Sequence, residues 1–492
     1  MNPTTAARST LFLCALLPAT FAPLHAAESS RPNIVWMISD DHGASDSGCY
    51  GNRDVRTPTL DRIAAEGMRF NFAFAADTLC SPSRAVIHTG LMPFRNGGHV
   101  FGGNVTKGTK TISHYLQPLG YETALLGKTS LHPEAAFPYD VKRPEWKPGT
   151  DESIALPKLV DEYLSTRAKS KPLFLEVNTG NPHMPWMKNQ GYDPDRLTVP
   201  DHYLDTPETR DALAQYYTSV STMDSTVAAV LAVLTKHGLN SDNTLFVYTS
   251  DHGSNFPLAK WCLYDAGIRV PLLVRWPGKV RPGSTTDAMV SLADLLPTII
   301  DAAGGSAPVS LDGRSFLKVL QGTTEEHLDS VFGSHTGADG HYPAWKANWS
   351  PHRSLRTRTH KYILNLNPNY PFVTHLIACD PDDPERQPDA THPFWKSWER
   401  MAQTDERARR IVTRYTRRPI EELYDLRTDP HEQHNISGNP NNAELLDKLR
   451  RQLSEWRAQQ NDHVNVYLTK PYVAPSRSDP VSAANRTDRV SN

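Results

Sequence analysis

"NIVWMISDDHG", residues 33–43, sets the reading of the whole chain. An apolar run rich in β-branched residues stops abruptly at two aspartates, a histidine and a glycine. Its length and composition predict a buried strand ending in an acidic turn. The construction returns at "NTLFVYTSDHG", residues 243–253. Further strands are expected at "YETALLG" (121–127), "PLFLEVN" (172–178) and "VPLLVRW" (270–276). Between them, "TPTLDRIAAEG" (57–67) has a helix cap, a proline near its start and a glycine at its end, and residues 207–238 carry helical periodicity. Strands alternating with helices predict an α/β fold, a mostly parallel central sheet covered by helices on both faces.

The pattern changes near Arg353. "RSLRTRTHKYILNL" (353–366) reads as one amphipathic strand, 379–393 as a Pro- and Asp-rich loop, and 442–459 as a charged helix. The expected organisation is a large domain over 31–350, a smaller α+β domain over 351–475 and a polar tail over 476–492. The first 27 residues read as a secretory signal peptide: Arg8, a short apolar run from Leu11 to Leu17, then small residues at Ala26 and Ala27. That run is too short to span a bilayer, and no other stretch reads as a membrane span. Export is therefore expected, periplasmic or secreted in a bacterium.

Two acidic strand ends in one chain have a chemical consequence. In doubly wound sheets, ligands bind beyond the carboxyl ends of the strands. Adjacent carboxylates there repel one another unless a cation lies between them. Asp40, Asp41, Asp251 and His252 are thus candidate ligands of one divalent metal, with Ca²⁺ favoured over Mg²⁺. Either cluster alone reads equally well as an ordinary turn.

"TLCSPSRAVIHTG", residues 78–90, adds the third element. Pro82 suits the first turn of a helix, which places Cys80 at a helix N-terminus, where unpaired N–H groups favour negative charge. Arg84 adds a cation one turn on. Cys80, or a group made from it, is expected to face an anion. Removing Cys14 with the signal peptide leaves Cys49, Cys80, Cys262 and Cys379, which is too few for a disulfide framework. With Cys80 reserved for chemistry, one bridge at most remains.

Composition bounds the rest. The chain has 492 residues, 38% hydrophobic and 22% charged, with 39 prolines, which fits a loop-rich globular enzyme. A net charge of −2 gives no basic surplus for nucleic acid. Sequons stand at Asn104, Asn348, Asn435 and Asn485.

"SDDHG", "CSPSR", "GYETALLGK", "NPHMPW", "SDHG", "RVPLLVRWPG" and "ELYDLRTDPHEQHN", in that order, resemble the type I sulfatases of the alkaline phosphatase superfamily. The resemblance runs from about Asn33 to Val466. It implies that a separate maturation enzyme oxidises Cys80 to formylglycine, whose hydrated aldehyde attacks sulfur beside the metal. It implies that Arg84 and Lys128 neutralise sulfonate charge. It also implies that His183 and Lys260 meet the leaving group and sulfate oxygens, either one supplying the proton. Taken singly, Lys128 and Lys260 read as surface lysines and His183 as structural.

Three positions depart from the family pattern. His88 replaces an apolar residue and is assigned a structural role. His252 stands where asparagine is common. Ser130 stands where a histidine usually follows the lysine by two positions, and His132 is the candidate to reach that place through a shifted loop. "GKTSLHPEAAFPYD", "RSLRTRTHKYILNLNPNYPF" and "EELYDLRTDPHEQHNISGNP" look closest to the heparan N-sulfatase (sulfamidase) branch, which implies a terminal N-sulfoglucosamine as substrate. Related sequences act on O-sulfated polysaccharides, and Pro371–Arg418 matches neither pattern. Two other readings stand beside this one: a phosphodiesterase or phosphonate monoester hydrolase on the same fold, and a glycan-binding protein without turnover.

Overall fold

The computed structural model describes residues 31–239, 243–337, 350–369, 372, 374, 376 and 392–466. The expected signal peptide, polar tail and nearly all of the 379–393 loop lie outside the described residues, as do Cys14, Cys379, Asn348 and Asn485. Among the described cysteines, Cys49, Cys80 and Cys262 are free thiols.

Strand β1 (Asn33–Ser39) is the middle of an eight-stranded sheet. The others are β2 (Met68–Phe74), β3 (Glu122–Gly127), β4 (Val141–Arg143), β5 (Leu173–Asn178), β6 (Thr244–Ser250), β7 (Leu272–Arg275) and β8 (Ser284–Ser291). Their order is β4-β3-β5-β1-β6-β7-β2-β8. Strand β1 runs parallel to both neighbours, β5 and β6, so its residues are covered on both faces. Ile34 to Ile38 are wholly buried, which explains the unbroken apolar run. Alternation still sorts the side chains. Val35 and Met37 pack with Leu175, Phe246 and the helix Pro207–Lys236. Ile34, Trp36 and Ile38 pack with Phe174, Val247 and the helix Leu295–Ala302 on the other face. Each such side chain contributes about 1.5–3 kcal/mol relative to exposure.

Strand β7 departs from the parallel arrangement: it is antiparallel to both β6 and β2. Helix α1 (Pro58–Glu66) and helix α2 (Cys80–Thr89) form as their proline and glycine signals predict. Pro207–Lys236 corrects one expectation, since its length and composition do meet the requirement for a membrane span. Its apolar side chains, including Val220, Met223 and Val227, are instead buried in the core.

A second, antiparallel sheet has the order β12-β11-β10-β9, with β9 at Ser330–His335, β10 at His352–Thr357, β11 at His360–Asn365 and β12 at Glu421–Asp425. The stretch read as one strand over 353–366 is therefore a hairpin. Arg356 to Lys361 are polar throughout, with no glycine or proline to mark the turn, and Thr357 closes it by accepting a hydrogen bond from the His360 N–H. Strand β9 lies before residue 350, so the small sheet draws on chain assigned by sequence to the large domain. The helix Ala443–Gln459 covers this sheet through Leu446, Leu449, Leu453 and Trp456, and Trp456 stacks on Phe332.

Candidate active site

The parallel pairing of β1 with β6 puts Ser39 opposite Ser250, so the next residues of each strand leave the sheet side by side. That register brings Asp40 and Asp41 to Asp251 and His252. Asp41 takes a left-handed backbone (φ 66°), and its N–H points to Asp251 Oδ1 at 3.4 Å. Ser83, in the first turn of α2, donates to the Asp251 carbonyl at 2.6 Å and ties the helix to this edge.

Helix α2 begins at Cys80, after Leu79 in an extended conformation, and every residue in it is buried. Cys80 Sγ lies 3.4 Å from Asp40 Oδ1 and 3.9 Å from Lys128 Nζ. In the oxidised residue the family implies, an oxygen takes the place of this sulfur. Arg84 reaches Asp251 Oδ2 at 2.9 Å through Nε and Asp40 Oδ2 at 3.1 Å through Nη2, while Nη1 is buried without a partner. Lys128 meets the same Asp40 oxygen at 2.6 Å and sits over the Trp146 ring at 4.1 Å. Gly127 makes this possible: a Cβ there would stand 2.1 Å from the Asn178 carbonyl oxygen, and its φ is 91°. Lys260 pairs with Asp41 Oδ1 at 2.6 Å.

These charges set one another. Burial opposes ionisation of Asp40, but the Lys128, Arg84 and Lys260 cations outweigh it and hold its carboxyl well below the usual range. Asp41 is pushed up to about 6 by burial, against the pull of Lys260 and His252. Burial and the Asp40 charge raise Asp251 as well. Burial lowers His252, yet Asp251 and Cys80 outweigh it and push the imidazole up to about 10.

The donor set fits a divalent ion. Two overlapping groups have ligand atoms mutually within 4.8 Å: Asp40, Cys80, Asp251 and His252, and Asp40, Asp41, Cys80 and His183. Asp41 Oδ2 and His252 Nε2 are buried without hydrogen-bond partners. His252 Nδ1 lies 3.1 Å from the Gly253 carbonyl, which fixes a hydrogen on Nδ1 and leaves Nε2 as the ligand atom. Asp40, Asp41, Asp251 and His252 could therefore hold the ion the family implies, and three carboxylates with one imidazole suit a hard cation.

His183 is half-buried and meets Trp146 edge-on at 5.5 Å. Its Nδ1 donates to the Met184 carbonyl. Burial, Lys260 and Lys128 hold the ring well below its usual pKa, so the resting imidazole is neutral, with an acceptor at Nε2. His132 belongs to neither group of mutually close ligand atoms among the described residues; its backbone carbonyl accepts from Val105. Ser130 is half-buried with φ 51°.

Sequence reasoning missed several supporting residues. Glu152 accepts from Thr179 Oγ1 and from the N–H groups of Gly180 and Asn181, clamping the loop that carries His183. Trp146 packs between Lys128 and His183. Glu176 and Asn178 stand behind Lys128. The only signal for Glu176 was a carboxylate inside an otherwise apolar strand.

Comparison with known proteins agrees with this geometry. The sulfatase family model matches residues 32–306, and a model described as N-sulphoglucosamine sulphohydrolase, C-terminal, matches 254–384. A ulvan-active sulfatase of Formosa agariphila is 30% identical, covering 89% of this chain and 82% of that protein. Human N-sulphoglucosamine sulphohydrolase is 31% identical, covering 88% and 91%. Among solved structures, one in complex with its substrate D-glucosamine-2-N,6-O-disulfate aligns with a TM-score of 0.67 at 23% identity, covering 88% of this chain and 99% of that one. The phosphonate monoester hydrolase of Agrobacterium radiobacter gives 0.67 at 18%, covering 90% and 99%, a likeness of fold. With a family model spanning more than half its length, and a buried cysteine flanked by cations at the carboxyl edge of a mostly parallel sheet, the chain belongs to the sulfatase family and is a sulfatase-type hydrolase.

Proposed function

We propose that this protein removes sulfate from a sulfated glycan, with a terminal N-sulfoglucosamine as substrate. The observation that carries the reading is the set of cations around Cys80. Lys128 and Arg84 converge on Asp40 Oδ2, Lys260 stands on Asp41, and the first turn of α2 opens at the sulfur. A nucleophile placed there meets an anion whose charge these groups offset. Formylglycine at Cys80 would supply a hydrated aldehyde as nucleophile, and a divalent cation held by Asp40, Asp41, Asp251 and His252 would supply Lewis acidity, with Ca²⁺ favoured by the hard oxygen donors.

The chain's own residues bind and orient. Arg84 offers its unpartnered Nη1 to a sulfonate oxygen. Lys128, backed by the Trp146 face, offers Nζ to another. His183 and Lys260 face the leaving group. An amine leaves poorly without a proton, so His183 Nε2, an acceptor at rest, would take up a proton from the attacking hydroxyl and hand it to the amine as the N–S bond breaks, while Nδ1 stays anchored on the Met184 carbonyl.

The C-terminal family match over 254–384 and the likeness to the human N-sulphoglucosamine enzyme support the amino-sugar reading. The likeness to a ulvan-active sulfatase supports O-sulfated polysaccharide as the second reading. Export through the N-terminal segment, and maturation by a formylglycine-generating enzyme, belong to the same proposal.

The test joins the mass of the Cys80 peptide to sulfate release from defined sugars. Protein carrying formylglycine should release sulfate from N-sulfoglucosamine faster than from O-sulfated glucosamine or ulvan oligosaccharides. Release from O-sulfated sugars alone transfers the proposal to the second reading. Turnover of aryl phosphate without aryl sulfate overturns both.

A further inference from the structure

Helix α2 brings Arg84 to the site and β3 brings Lys128, and the two cations meet at a single atom, Asp40 Oδ2. Behind them a buried polar chain joins the same two residues through their main chains. His88 Nδ1 lies 2.6 Å from the Arg84 carbonyl oxygen. Its Nε2 lies 2.9 and 3.1 Å from the two oxygens of Glu176. Tyr139 donates to Glu176 Oε2 at 2.5 Å. Asn178 uses both amide hydrogens: one goes to Glu176 Oε1 at 2.7 Å and the other to the Lys128 carbonyl at 2.8 Å. The Lys128 N–H returns to the Asn178 carbonyl at 3.0 Å.

A carbonyl oxygen only accepts, so His88 donates from Nδ1; an ionised Glu176 only accepts, so His88 donates from Nε2 as well. Burial opposes the charge on Glu176, but His88, Tyr139 and Asn178 outweigh it and lower its pKa. Both side chains of the pair are wholly buried, with Trp36 stacked on His88 at 5.7 Å and Phe137 edge-on at 5.8 Å. A buried ion pair is a poor source of stability, since an apolar pair of the same volume does as well or better. What it adds is direction: every bond in this chain has a required angle and length, and both ends are main-chain atoms of site cations.

We propose that the His88–Glu176–Asn178 chain is a positioning device that holds Arg84 and Lys128 at the spacing one sulfonate requires. The proposal rests on the sulfatase reading for the anion concerned. His88 and Glu176 are positioning residues and touch no substrate. A displacement of about 1 Å between catalytic cations and the reacting group costs up to about 10²-fold in rate.

The experiment measures kcat and KM on an activated aryl sulfate, per formylglycine-bearing molecule, together with Tm. His88→Leu and Glu176→Gln are each made in the wild-type and in a Lys128→Met background. Glu176→Gln keeps the side-chain shape and serves where His88→Leu folds poorly. In the wild-type background kcat should fall about 10- to 100-fold with KM within about 3-fold. In the Lys128→Met background the same changes should cost under about 3-fold, because one of the two cations to be spaced is gone. Equal fractional losses in both backgrounds, or a lower Tm with unchanged kcat, overturn the proposal. A wild type that turns over aryl phosphate but no sulfate ester removes the sulfatase reading, and the same two backgrounds compared on the phosphate still decide the positioning role.

Discussion

Asp462→Asn should cost stability at neutral pH and almost none in acid. Asp462 follows the C-terminal helix and accepts from Arg353 Nε at 2.8 Å and from Arg457 Nε at 2.7 Å. Arg353 also donates to the His335 and His352 carbonyls, and its guanidinium lies 4.8 Å from the Phe94 ring centroid. The cluster thus joins the small sheet to the segment that follows α2. Burial alone would raise the Asp462 carboxyl, but Arg353 and Arg457 outweigh it and hold it at about 2, against an ordinary 3.8. At about 1.4 kcal/mol per pH unit, that difference contributes about 2.5 kcal/mol. Because the folded-state value is depressed, the contribution is complete above about pH 4 and disappears as pH falls toward about 2. His99 is held at about 3 by burial, His463 and Arg353, while the Asp462 charge pulls it upward, so its titration belongs to the same linkage and shifts in the variant. For a body of this size the neutral-pH loss corresponds to about 2–3 °C in Tm. Calorimetry from pH 7 to pH 2.5, with chelator present throughout so that cation release does not contribute, reads the gap between wild type and variant. A gap that stays constant across that range, or is absent at pH 7, would refute the linkage.

Cys80→Ala should abolish turnover while circular dichroism and Tm stay near wild type, and full activity in that variant sinks the nucleophile assignment. Cys80→Ser, made in a host that matures only cysteine, should be equally inactive, because a single hydroxyl cannot expel sulfate by collapsing to an aldehyde. Asp251→Ala removes a candidate ligand and the partner of Arg84; elemental analysis should find bound divalent metal falling from about one per chain to below about 0.1, together with activity. Metal retained at full stoichiometry contradicts the ligand set. His183→Ala should lose about 10²–10⁴-fold on an amine-leaving substrate and far less on an activated aryl sulfate, whose leaving group needs no proton. Equal losses on both take the proton-donor role from His183. Gly127→Ala should abolish activity and lower soluble yield, since the added Cβ meets the Asn178 carbonyl at 2.1 Å; a soluble, active variant would show that the Lys128 backbone tolerates another path.

Sequence alone determined the elements whose signal is local. Strand β1 reads as a strand because each of its residues is buried on one face or the other, and its acidic end reads as a site because carboxylates crowd there without basic neighbours in sequence. The order of "SDDHG", "CSPSR" and "SDHG" carried the family. Tertiary structure decided what depends on partners far along the chain. The antiparallel direction of β7, the recruitment of β9 to the small sheet and the hairpin within 353–366 are matters of pairing, which periodicity does not encode. The same holds inside the site. Lys260 taken singly reads as a surface lysine and is a candidate only through the family resemblance; folding sets it 2.6 Å from Asp41. His132 is a candidate through the family resemblance, and its backbone carbonyl accepts from the Val105 N–H. His88 and Glu176 are 88 residues apart, each an oddity in an apolar stretch. Either charge alone would be costly to bury, and they become intelligible only as a pair, because the energy that keeps each one inside is supplied by the other.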